Sequence, residues 1–148
     1  MRITTNTDTT VDTANNSEIC KYNRNNPKKR TCGYASIAPE GEYWISDNLG
    51  APTEAEAKDM TGSVCSVADC VSRGDYYEAA KRRCQNSGGH LANLAELEIA
   101  RQNGKLKNGS FWAAEEQYWH YSYVMKSDGN VYGDAKHHLT AQVICAGN

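Results

Sequence analysis

The chain has 148 residues, 39% of them apolar and 23% charged, with a formal net charge of −2 and six cysteines. That length fits one domain. No apolar run approaches the roughly 18 residues that span a bilayer, and the near-neutral charge excludes the basic stripe of a nucleic-acid binder. Only roughly one residue in seven is Leu, Ile, Val or Phe, a level that accompanies disorder only when net charge is high. Three Trp, nine Tyr and one Phe supply large rings instead. The expectation is a folded α+β domain with a thin aliphatic core, stapled by disulfides.

In chain order, residues 1–31 are rich in Thr and Asn, as in Thr4-Thr5-Asn6-Thr7 and Asn23-Arg24-Asn25-Asn26-Pro27. Such a stretch buries little apolar area, so it is expected to be a polar extension or linker, at most an isolated edge strand. The folded domain is then expected over 32–148. From Cys32 to Asn48 the chain gains Tyr34, Ile37, Tyr43, Trp44 and Ile45, enough for one or two short strands. Thr53 followed by Glu56 is a capping-box signature for a short helix. Asp75-Tyr76-Tyr77-Glu78 opens another, with Tyr77, Ala80 and Cys84 on one face and Gly88-Gly89 as its stop. Asn93-Leu94-Ala95-Glu96 opens the next, along Leu94, Leu97 and Ala100, and Gly104 ends it. Beyond it, Phe111-Trp112, Tyr121 to Met125, Asn130 to Tyr132 and Ala141 to Cys145 are strand candidates. The Asp128-Gly129 turn predicts a hairpin between the second and third of these.

The six cysteines, Cys20, Cys32, Cys65, Cys70, Cys84 and Cys145, form an even set. That points to an oxidised domain outside the cell or at its surface. Cys20 and Cys32 flank a polar loop and Cys65 and Cys70 a very short one, which favours local pairs and leaves Cys84 with Cys145. No Cys-x2-Cys or His-x3-His pair marks a zinc site, and neither a metal nor a cofactor is expected. Residues 1–20 hold no apolar stretch of signal-peptide type, so an exported form is expected to have lost its signal or anchor.

Three segments together resemble the bacterial and phage C-type lectin-like family. Gly88-Gly89-His90-Leu91-Ala92-Asn93-Leu94-Ala95-Glu96-Leu97 is similar to that family's GG-R-L-P-T-x-A-E-L bridge between two helices. Phe111-Trp112-Ala113-Ala114-Glu115-Glu116 resembles its Y-W-S-S-S-E strand, and Gln142-Val143-Ile144-Cys145 its terminal V-R-C-V. The sequence departs at His90, where Arg is usual, and at Ala92, where Pro is usual. The resemblance implies two short helices with a small antiparallel sheet over 32–148, a ligand-binding domain, and a bond between Cys84 and Cys145. Within the family, the C-terminal stretch resembles the variable proteins of diversity-generating retroelements. In those, adenine-templated mutagenesis scrambles runs such as Gln117-Tyr118-Trp119-His120-Tyr121-Ser122 and Tyr132-Gly133-Asp134-Ala135-Lys136-His137-His138.

The residues support a binding face on their own account. Seven of the 13 aromatics, Phe111, Trp112, Tyr118, Trp119, Tyr121, Tyr123 and Tyr132, fall within 22 residues. Tyr and Trp bury much area at small entropic cost, which suits them to recognition. Phe111, Trp112 and Tyr123 are expected in the core, whereas Tyr118, Trp119 and Tyr121 crowd more rings than one buried face absorbs. The candidate ligand-binding set is Tyr118, Trp119, His120, Tyr121, Tyr132, Asp134, His137 and His138, with no catalytic residue. Glu115 and Glu116 with Asp128 or Asp134 supply the carboxylates a calcium ion wants, but the Glu-Pro-Asn and Trp-Asn-Asp motifs of calcium-dependent sugar binding are missing, so no calcium site is expected. Adjacent His137 and His138 are expected on opposite faces of a strand. The function expected is recognition of a cell-surface protein or glycan, with the chain carried on a pilus, fibre or other surface assembly. The alternatives are the head of a minor pilin or adhesin without diversification, and an oxidase of the formylglycine-generating type working through redox-active cysteines.

Overall fold

The computed structural model describes residues 18–34, 36–60 and 67–148. They form an α+β structure with two sheets. The first sheet has the order β2-β1-β3-β9-β4 and the second β7-β6-β5-β8. In the first, β1 (Glu18–Tyr22), β2 (Arg30–Tyr34), β3 (Tyr43–Ile45), β4 (His90–Leu91) and β9 (Cys145–Gly147) pair antiparallel throughout. In the second, β5 (Ser110–Tyr118), β6 (Tyr121–Lys126) and β7 (Val131–Ala135) form an antiparallel meander. Strand β8 (Ala141–Gln142) adds to β5 in parallel.

The boundary expected at residue 31 falls inside β2. Residues 18–22 and 30–31 belong to the sheet, with 23–29 as their connection, and those before 18 lie outside the described residues. Two features explain why this polar stretch folds. Cys20 and Cys32 face each other in the β1–β2 register and are joined by a disulfide. Tyr22 is fully buried in the core. The Asn-rich connection is a side-chain-closed turn, in which the Asn23 carboxamide oxygen accepts from the backbone N–H groups of Asn25 and Asn26 at 2.8 and 3.0 Å.

Four helices occur among the described residues, where two short ones were expected from the resemblance. Helix α1 (Glu54–Lys58) begins with the expected capping box, Thr53 and Glu56 each bonding the other's backbone N–H. Helix α2 (Ala68–Arg73) has no side-chain cap and carries the buried, disulfide-bonded Cys70. Cys65, expected as its partner, lies outside the described residues.

Helix α3 (Tyr76–Asn86) is capped by Asp75, which accepts from Glu78 N–H at 2.8 Å. The reciprocal half of the expected box is replaced, since the Asp75 N–H donates to Ala57 O at 2.9 Å and the Glu78 carboxylate pairs with Lys81 at 3.3 Å. Tyr77, Ala80 and Cys84 form its buried face as the spacing predicts. Gly88 follows at φ +85°, a left-handed backbone that suits a residue without Cβ.

Helix α4 (Leu94–Gln102) has a full capping box between Asn93 and Glu96. The buried Glu96 also bonds His90 Nε2 at 2.9 Å, which gives this histidine a carboxylate partner. Replacing Asn93 by Ala removes the acceptor for an otherwise orphaned N–H. It is expected to lower stability by about 1 kcal/mol, read from the midpoint of urea unfolding.

The core lies on both faces of β5. Phe111 joins Leu97, Ala100, Leu106, Met125 and Ile144 on one side. Trp112 joins Tyr77, Ala80, Leu91, Val124 and Val143 on the other. Successive strand residues point to opposite faces, so this one strand holds both halves together. A second disulfide, Cys84–Cys145, ties α3 to β9 at a sequence separation of 61. The remaining length of β5 projects beyond the core, which sets up the candidate site.

Candidate functional site

The exposed end of β5 is the run Glu115-Glu116-Gln117-Tyr118. Tyr118 pairs with Tyr121 across the strands, leaving Trp119 and His120 as a two-residue tip. Four rings converge there. Tyr118 stacks on Tyr121 with centroids 5.2 Å apart. His120 lies 4.8 Å from Tyr118, 5.0 Å from Tyr121 and 4.2 Å from Trp119. Tyr118 and Trp119 each remain 48% exposed, while His120 and Tyr121 are half-buried. Phe111 and Trp112 are fully buried, and Tyr123 packs against the Phe111 side of the core. The division of these rings therefore runs along the strand, with Phe111 and Trp112 buried on its two faces and Tyr118 exposed where it projects, and does not follow alternation.

Beside the tip runs the end of β7 and the turn after it. Asp134 organises this segment. One carboxylate oxygen accepts from Ala135 N–H at 2.8 Å and meets His138 Nδ1 at 2.7 Å, and the other accepts from the Thr140 hydroxyl at 2.8 Å. His137 and His138 do not sit on opposite faces of a strand. Strand β7 ends at Ala135, the chain turns, and their rings meet edge to face at 4.6 Å. His137 Nε2 is 3.6 Å from Asp69 of α2. Burial and the neighbouring His138 hold the His137 pKa below its ordinary value, against the pull of Asp69. Asp69 itself stood outside the expected set.

Tyr132 is drawn away from the ring cluster. Its hydroxyl bonds Ser110 Oγ at 3.1 Å and its ring packs against the Trp112 side of the core. Gly133, also on β7, makes room for a neighbour. The Gln117 carboxamide occupies the space a Cβ at that position would need.

The four carboxylates Glu115, Glu116, Asp128 and Asp134 each engage different internal partners. Glu115 accepts from Leu94 N–H at the start of α4 at 3.0 Å, and Glu116 pairs with Lys136 at 3.3 Å. Asp128 closes the hairpin turn onto Asn130, and Asp134 is held as described. Glu18, Cys20 and Cys32 lie close enough together for a metal. Both sulfurs are consumed in the disulfide, however, leaving one carboxylate.

Lys136 was not among the expected site residues. Its side chain is wholly buried, although it stands between Asp134 and His137 in the sequence. Its ammonium lies 4.7 Å from the centroid of the Tyr77 ring. The Tyr77 hydroxyl donates to Ala114 O. Burial, and after it the Glu116 charge, pushes the Tyr77 pKa well above the ordinary tyrosine value.

No protein-family model matches this chain, and a search of curated proteins finds no match. What fold and site define is thus a disulfide-linked α+β domain presenting a compact ring cluster beside a histidine–aspartate turn. No helix of the described residues is long and apolar enough to cross a membrane.

Proposed function

We propose that this chain is a non-enzymatic recognition domain of C-type lectin-like fold, acting outside the cell or on its surface. Its ligand is a cell-surface protein or glycan, met by Tyr118, Trp119, His120 and Tyr121 together with Asp134, His137 and His138. The observation that carries this reading is the ring cluster, in which two large rings stay half-exposed at a hairpin tip anchored in the core. Rigid aromatic anchors with polar handles are the usual hot spots of interfaces. The order of the three family-like segments supports the fold, as does the bond between the helix cysteine Cys84 and the last-strand cysteine Cys145. The oxidised state of Cys20, Cys32, Cys70, Cys84 and Cys145 favours recognition over a thiol-dependent oxidase. Diversification by a retroelement and carriage on a pilus or fibre belong to the same proposal. Tyr132, turned toward the core, is the weakest member of the contact set.

The test is a protein and glycan array probed with the whole chain, each hit being re-measured with Trp119→Ala. Loss of a half-exposed anchor is expected to weaken binding about 30-fold or more, while the thermal midpoint stays within about 2 °C. Hits that bind Trp119→Ala and Tyr118→Ala as well as the parent chain overturn the assignment of the face. Substitutions in sibling genes spread evenly over 75–148, instead of clustering at the named positions, overturn the diversification.

A further inference from the structure

We propose that Lys136 is a positioning residue of the recognition surface. Its buried ammonium, set between Glu116 and the Tyr77 ring, locks the 118–121 tip against the 134–138 segment. Four contacts radiate from this residue. Nζ lies 3.3 Å from Glu116 Oε1 and 4.7 Å from the Tyr77 ring centroid. Its backbone N–H donates to His120 O at 3.0 Å, and its carbonyl accepts from Tyr76 N–H at 2.7 Å. One residue thus joins the tip, the projecting part of β5 and the first turn of α3. Ladder pairing between β6 and β7 ends at Tyr121 and Ala135, so the contacts of Lys136 continue the attachment one residue further, to the tip itself.

Burying an ammonium is costly, and an apolar side chain of similar volume often serves stability as well or better. What the lysine supplies that an apolar chain cannot is direction. Glu116 is 33% exposed on the projecting strand, and a fixed cation beneath it selects one pose of that strand. The aromatic face of Tyr77 supplies a second, directional attraction. Lys136 therefore belongs to the scaffold of the surface and not to its contacts, although it stands within a run that resembles scrambled sequence. Its functional meaning rests on the recognition role proposed above, whereas its geometry does not.

The experiment compares Lys136→Met, Glu116→Gln and the double variant in the whole chain. Site-resolved amide hydrogen exchange and the indole NMR resonance of Trp119 are the readouts. Each single variant is expected to speed exchange over 116–121 at least tenfold and to move the Trp119 resonance. Exchange in α4 is expected to stay unchanged in both, whereas the thermal midpoint is expected to stay within about 3 °C in Lys136→Met and to fall further in Glu116→Gln, which strands the buried ammonium. The double variant is expected to add nothing to Lys136→Met and to recover part of the midpoint lost in Glu116→Gln, since it removes the stranded ammonium. Unchanged exchange over 116–121 overturns the proposal, as does acceleration spread evenly over α3 and α4 with a matching fall in midpoint. Should Lys136→Met fail to fold, Glu116→Gln, altered at a partly exposed site, decides the matter alone. No ligand is needed, so failure here leaves the recognition reading standing, and a blank array leaves this inference standing.

Discussion

Removing the Cys84–Cys145 bond by replacing both residues with alanine is expected to lower the unfolding free energy by about 4 kcal/mol. The estimate follows from loop closure in the unfolded chain, with the separation of 61 residues as its only input. For a domain of ordinary stability, about 5–15 kcal/mol, that is a large share. It weighs more here because few large aliphatic side chains share the load. The measurement is urea unfolding followed by circular dichroism, comparing the double variant with the parent chain under oxidising conditions. A loss below about 1 kcal/mol would mean that the α3–β9 contact holds without its covalent link. The Cys20–Cys32 bond closes a separation of only 12 residues, and its removal is expected to cost less by the same logic.

The second large effect concerns Trp112. Trp112→Ala is expected to destabilise the domain by about 3–5 kcal/mol, the range for deleting a large buried ring. The indole is fully buried between α3 and the second sheet and meets the Tyr77 ring edge to face at 6.0 Å. Truncation leaves a hole that a two-sided core cannot collapse into without moving β5. Trp119, seven positions along the same strand and turn, is the natural control. It is 48% exposed, and its removal is expected to change stability by less than about 0.5 kcal/mol. Thermal and urea unfolding of the two variants side by side separate a core indole from a surface one.

These two tryptophans also show what local sequence could and could not reveal. Ring crowding near the hairpin tip was enough to send Trp119 outward, whereas alternation would bury only one of Phe111 and Trp112, and both are buried because β5 has core on each face. The caps at Thr53 and Asn93, the Asp128-Gly129 turn and the apolar face of α3 were legible for the same reason, since each depends on residues a few positions apart. Other features depend on distant partners. Strand β1 looks like linker because its burial comes from Tyr22 entering a core built with Tyr43, Ile45 and residues between 92 and 146. Helix α2 has neither a capping side chain nor an apolar stripe, and carries Cys70 as its buried residue. Lys136 reads as a surface cation until β5 supplies Glu116 and α3 supplies Tyr77. His137 and His138 look like strand residues in the sequence because the end of β7 is fixed by pairing with β6, which no local window contains. The candidate surface was thus visible as a cluster of rings, while the framework that aims it was not.

Strand β9 occupies an interior place in the first sheet, between β3 and β4. Trp44 and Ile45 reach their partners Gly147 and Ala146 only after nearly the whole described chain has been traversed. The β1–β2 hairpin finds β3 locally, but folding must close a very long loop before β3 gains β9 on its other edge, and such non-local closure is slow compared with helix formation. In the oxidised chain the search is shorter. Once Cys84 holds Cys145, β9 is tethered beside β4, and only the strands from residues 18–45 have still to arrive. Timing of thiol oxidation thus becomes a kinetic variable for this domain, deciding how long its unpaired strand edges stay open to other chains.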